Sequence, residues 1–143
     1  MKFRISLSLS GVVLILLISA ASLIAGEFLI VANPGVQQDS LDRDVISDIF
    51  RGDKTKWDNG SKISVIMLKE GAVHLAFVQE ILGTTPEKIR DLWKKAVFTG
   101  IGTPPKILKT EQDVIKTVAE TEGAVGYVGE SAPHEGVKII SVR

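Results

Sequence analysis

With 143 residues, 45% of them hydrophobic and only 6% aromatic, the chain has material for one domain with a modest core and no more. Seventeen basic and seventeen acidic residues cancel, and no basic stripe or aromatic–basic interleaving stands out, which argues against nucleic acid as a partner. Cysteine is absent, so disulfides, thiolate ligands and thiol nucleophiles are excluded together.

The chain opens with Lys2 and Arg4, then an uncharged stretch from Ile5 to Gly26 whose apolar centre is Val12 to Ile18, followed by the small residues Ser19, Ala20, Ala21 and Ser22. This is the layout of a secretory signal peptide over residues 1–26, with Ala25 or Gly26 as the cleavage residue. Leu23 and Ile24 fit the small-x-small rule poorly, and the stretch is long enough to span a bilayer, so an uncleaved membrane anchor is the other reading. Either reading puts residues 27–143, a single slightly acidic domain, in the periplasm or otherwise outside the cytoplasm.

Phe28 to Ala32 is a continuous apolar run too short for a helix, and Asn33-Pro34-Gly35 ends it, which predicts a buried strand running into a turn. Ser40 is then expected to cap a helix with apolar residues Leu41, Val45, Ile46, Ile49 and Phe50, stopped by Gly52. Polar residues 53–62, with Trp57 and the turn Asp58-Asn59-Gly60, read as a surface loop. Trp57 is expected to be a lid over the core edge in preference to a ligand contact. Val65 to Leu68 predicts a second strand, and after Lys69-Glu70-Gly71 the residues Val73, Ala76, Phe77 and Ile81 recur at helical spacing. Gly83 ends that helix. Thr85-Pro86 starts another, with threonine as cap and proline at the first helical position, and Ile89, Leu92, Trp93, Ala96 and Val97 form its apolar face. Residues 98–105, with two glycines and two prolines, break all periodicity. Thr110 caps a last helix with Asp113 three positions on, faced by Val114, Ile115 and Val118 and closed by Gly123. Ala124 to Val128 and Val137 to Val142 predict two further strands. The alternation implies an α/β fold, a mixed, largely parallel sheet with helices packed on both faces.

Catalytic constellations fail on inventory. His74 and His134 are the only histidines, sixty positions apart, and neither H-E-x-x-H nor G-x-S-x-G occurs. The acidic residues fall mostly on expected helix faces and caps. No enzyme, metal or cofactor is expected, and a hydrolase or metal enzyme ranks last among the readings.

What remains is the turn from strand to helix at Gly71. Free backbone N–H groups and the positive end of a helix dipole meet there, and small anions bind such places. The candidate contacts are the backbone at Gly71, Ala72 and Val73 and the side chains of Lys69 and His74. Protonated, His74 meets an anion; neutral, it takes the solvent side of the helix, which is the preferred reading. The loop Thr99, Gly100, Gly102 and Thr103 is a further candidate, although its spacing matches neither common phosphate-binding glycine motif and a merely pliable connection is the plainer reading.

Several short segments in order carry a resemblance. Asn33-Pro34 after a strand, Ser40-Leu41, then Ile49-Phe50-Arg51-Gly52 and Lys54-Thr55-Lys56-Trp57 resemble the "N-P … S-L … I-F-x-G-x-x-x-x-W" pattern of phosphate-specific periplasmic binding proteins of ABC transporters. Phe77, Trp93 and Gly123-Ala124-Val125-Gly126-Tyr127-Val128 resemble that family's later "F" and "G-A-I-G-Y-V" segments. The resemblance implies one lobe, the second, of a type II periplasmic binding protein, with a small oxyanion such as phosphate as ligand and a membrane permease or a sensor protein as partner. Family members hold phosphate between two lobes, and this chain has material for about one. The family's turn also carries a Ser-Gly-Thr type motif, where this chain has Gly71-Ala72-Val73-His74 and no hydroxyl donor. The alternative is an exported interaction or sensor module that keeps the fold and has lost the ligand.

Overall fold

The computed structural model describes residues 27–100 and 102–143; the leader read from residues 1–26 lies outside them, as does Ile101 of the glycine–proline loop. Strand β1 (Phe28–Ala32) is apolar on both faces because both faces are covered, and Ile30, Val31 and Ala32 are buried. At its end Asn33 does more than turn the chain. Its Oδ1 accepts the Gly35 N–H at 2.9 Å, while its Nδ2 donates to the carbonyls of Val118 and Ala119 at 3.0 and 3.1 Å. One side chain thus holds the turn and ties it to the last turn of a distant helix.

The expected Ser40 helix cap is not found. Ser40–Leu41 is a two-residue strand, β2, parallel to the C-terminal strand β6 (Lys138–Val142), with Ser141 donating to the Asp39 carbonyl and Arg143 to that of Leu41. Pairing with the far end of the chain satisfies this backbone, so helix α1 (Arg43–Arg51) starts later, with Asp42 as N-cap and no side-chain capping bond. Gly52 ends α1 as expected. It also makes room: a Cβ there would lie 2.8 Å from the Trp93 ring, whose Nε1 donates to the Phe50 carbonyl at 3.1 Å. In the following loop Trp57 is only 4% exposed and its Nε1 donates to the Gly123 carbonyl at 3.0 Å, so it closes the core edge.

Strand β3 (Ser64–Leu68), helix α2 (Ala72–Glu80) and helix α3 (Pro86–Phe98) follow the periodicity closely. Thr85 caps α3 by accepting the Lys88 N–H at 3.3 Å, with Pro86 in the first turn. One residue of α3 departs from its expected face, since Val97 is 54% exposed while Ile89 and Trp93 are buried. The reason is that Val97 borders an open groove alongside α3. A three-residue strand, β4 (Lys106–Leu108), lies inside what the sequence shows only as a break before Thr110. Thr110 then caps α4 (Glu111–Glu120) through the Asp113 N–H at 3.1 Å, and β5 (Ala124–Gly129), buried throughout, precedes β6.

The six strands form one sheet in the order β2-β6-β1-β5-β3-β4. Strand β1 is antiparallel to both β5 and β6, and every other pairing is parallel, which gives the expected mixed, largely parallel sheet. Helix α4 covers one face through Val114 and Val118; at Gly126 a side chain would meet Val114 and the Ile66 carbonyl, each at 3.2 Å. Tyr127, one residue on, points to the opposite face by the alternation of strands. There Phe77 of α2 stacks on it with centroids 3.8 Å apart and planes 9° from parallel. Phe50 of α1 meets Phe77 edge-on at 4.7 Å, and Phe28 does so at 5.6 Å. This aromatic cluster is the core beneath the turn at Gly71.

Candidate functional site

The turn is built by two constraints. The Lys69 N–H donates to the Leu108 carbonyl at 2.8 Å, which pins the end of β3 to β4. Gly71 then takes φ +108, a backbone conformation that a side chain disfavours, and α2 begins with no capping side chain and no acidic residue in its first turn. The first helical bond runs from Leu75 N–H to the Gly71 carbonyl at 3.0 Å. The N–H groups of Ala72, Val73 and His74 therefore have no hydrogen-bond partner among the described residues. They form a bare, positively polarised helix start, with Lys69 and Glu70 just before it in the chain.

His74 corrects the solvent-side expectation. It is 7% exposed, the single buried polar or charged residue among those described, and its ring lies nearly parallel to that of Tyr127 at 6.1 Å. Nδ1 and the Tyr127 hydroxyl are 2.6 Å apart, and that hydroxyl oxygen also accepts the Leu68 N–H at 3.1 Å. Burial raises the Tyr127 pKa, so the phenol keeps its proton, and with its oxygen already accepting the Leu68 N–H we assign it as the donor to Nδ1. Burial also lowers the His74 pKa, so the imidazole is neutral and carries its own proton on Nε2. Helical periodicity places position 74 on the edge of the apolar face; the long-range partner in β5 draws it in. The signal that could have found this pair was Tyr127 itself, because a tyrosine in a wholly buried strand needs a partner for its hydroxyl.

The neutral His74 has a measurable consequence. Unfolded, an imidazole takes up a proton as pH falls through 6.5; folded, this one resists until lower pH, so acid favours the unfolded chain. The urea midpoint is expected to fall between pH 7.5 and pH 5.5. His74→Gln, which keeps an acceptor for the Tyr127 hydroxyl, should be less sensitive over the same range, and equal slopes for the two proteins would refute the assignment.

The sequence candidates separate into two places. Lys69, Gly71 and His74 border an open groove of about 1110 Å³, which Leu68, Leu75, Trp93, Val97 and Ile107 also line, with Arg90 and Lys94 on its α3 rim. Ala72 and Val73 offer backbone at the turn, but their side chains do not line the groove. Thr99, Gly102 and Thr103 instead line a smaller hollow of about 250 Å³ with Arg51, Gly52 and Asp53, and Gly100 lines neither. The Thr99 hydroxyl is already engaged by the Lys95 and Ala96 carbonyls at 3.0 and 3.2 Å. Thr99, Gly102 and Thr103 are therefore not brought to the turn, although Pro104 and Pro105 after them line the groove. Arg90, Lys94 and the apolar wall were not singled out as site residues, because only the fold brings α3 to face the end of β3 and β4 across the groove.

A six-stranded mixed sheet with one reversed strand, carrying a glycine turn at the start of a helix, is similar to one lobe of a periplasmic binding protein. No protein-family model and no curated protein sequence matches the chain. Solved structures do match its fold. An ABC-type phosphate transport receptor from Vibrio cholerae superposes with a TM-score of 0.62 at 17% identity, over 83% of this chain and 47% of that one. A phosphate ABC transporter substrate-binding protein with bound phosphate from Clostridium perfringens gives 0.64 at 21% identity, over 83% and 46%. PstS from Borrelia burgdorferi gives 0.64 at 15%, over 82% and 47%. The chain spans under half the length of each neighbour, in keeping with a single lobe. These neighbours are described as transport receptors and substrate-binding proteins, not as enzymes.

Proposed function

We propose that this domain binds a small oxyanion such as phosphate at the start of α2, as an exported single-lobe relative of the solute-binding proteins whose fold it shares. The observation that carries the reading is the set of three free N–H groups at Ala72, Val73 and His74, with no acidic residue in the first turn of α2 and with Lys69 offsetting Glu70 just before it. Binding is weak or depends on a partner. Hydroxyl donors are missing at Ala72 and Val73, and a charge-assisted hydrogen bond contributes about 1.5–3 kcal/mol. A lone lobe also leaves the anion half in water. The signal-like sequence of residues 1–26, cleaved or kept as an anchor, supports a location in the periplasm or otherwise outside the cytoplasm, with a membrane permease or a sensor protein as the proposed partner. Among the described residues no helix is long and apolar enough to cross a membrane.

Isothermal titration with phosphate and sulfate tests this. A millimolar-range site is expected, and Ala72→Ser, which returns a hydroxyl to the turn, should tighten it by about tenfold. Silence up to millimolar anion in both proteins would remove the reading. The second reading, an interaction or sensor module without a ligand, is favoured by one observation, the exposed apolar residues Leu75, Val97 and Ile107 beside the turn. A partner captured equally well by the wild type and by a Lys69→Ala/His74→Ala double variant would support it.

A further inference from the structure

The groove beside the turn is far larger and more apolar than a free oxyanion needs. Its floor is Leu68 and Trp93, and its walls are Leu75, Val97 and Ile107, which are 43%, 54% and 51% exposed. Ordinary surface residues do not gather this way around a helix start. At the end where the groove meets the turn, His74 is 93% buried (7% exposed) yet lines the groove, and its Nε2 has no hydrogen-bond partner among the described residues. Because Tyr127 donates to Nδ1, Nε2–H is a donor held in one orientation. Lys69, Arg90 and Lys94 stand on the rim, and none of them is in an ion pair among the described residues; Glu70 and Glu87 also line it, which leaves positive charge in excess. An apolar trough with a fixed donor and free backbone N–H groups at one end, and one positive charge in excess around its rim, complements a molecule with an anionic head and an apolar chain.

We propose that the ligand is a phosphate monoester carrying an apolar chain, its phosphate at the Gly71 turn and Nε2 of His74, its chain lying along the groove between α3 and β4. The proposal rests on the oxyanion reading above and names the class of oxyanion. A doubly charged head matches the free N–H groups and Lys69, and each methylene buried in the groove multiplies affinity by about fourfold.

The test is isothermal titration of the protein with inorganic phosphate, hexyl phosphate and hexanol. With about three to four of its six carbons buried in the open groove, hexyl phosphate is expected to bind about 100-fold more tightly than inorganic phosphate, with hexanol weaker than both. Val97→Asp, at a position exposed enough to keep the fold, should bring the hexyl phosphate constant down towards that of inorganic phosphate. Equal affinity for inorganic and hexyl phosphate overturns the proposal and leaves the oxyanion reading standing. Hexanol binding as tightly as hexyl phosphate overturns both, because the head then contributes nothing.

Discussion

Gly123→Ala is expected to lower stability by about 3 kcal/mol or more, read as a shift of the urea midpoint. Gly123 has φ +73, and a Cβ there would lie 2.2 Å from the Lys62 carbonyl oxygen, a backbone atom that cannot swing aside. The same residue's carbonyl accepts two hydrogen bonds, from Trp57 Nε1 at 3.0 Å and from the Ser64 N–H at 3.1 Å. Any shift that relieves the clash therefore loosens the indole that closes the core edge and the first pairing of β3 with β5. A midpoint within measurement error of the wild type would mean that this crossing is far more pliable than its hydrogen bonds imply.

Phe77→Ala should cost about 3–5 kcal/mol. Phe77 is wholly buried, stacks on Tyr127 and receives the edges of Phe50 and Phe28, so its removal empties the point where α1, α2 and the sheet meet. The loss should reach the site as well, because the stacked ring holds the Tyr127 hydroxyl between the Leu68 N–H and His74. Urea denaturation gives the magnitude. Phe98→Ala, at a residue 96% exposed, is the control and should stay within about 0.5 kcal/mol of the wild type.

How much of this was legible beforehand depends on the range over which each feature is determined. Local signals are carried by neighbouring residues and were readable: the apolar run of β1, the threonine caps of α3 and α4, and the Gly71 turn. Strands β2 and β4 were not. Two or three residues show no periodicity, and each forms only because a strand distant in sequence offers it hydrogen bonds. Ser40 shows the conflict plainly, since its residue type suits a cap and its backbone partner at Ser141 makes it a strand.

The candidate site divides along the same line. The bare helix start follows from Gly71 and from the lack of a capping or acidic side chain in the first helical turn, all within a few positions. The burial of His74 follows from Tyr127, 53 positions away, and no local pattern announces such a pair. The groove wall joins α2, α3 and β4, whose mutual placement is a property of the packed molecule. Thr99, Gly102 and Thr103 belong to a loop noticed for its glycines, but they line the smaller hollow on the other side of Trp93.

The reversed strand β1 bears on how the domain assembles. Its two neighbours, β5 and β6, are the last strands in the sequence, so a chain emerging from its N-terminus first has no partner for residues 28–32 until residues 124–142 are out. The sheet's centre is thereby its longest-range pairing, which slows folding relative to a chain whose neighbours in sequence are neighbours in space.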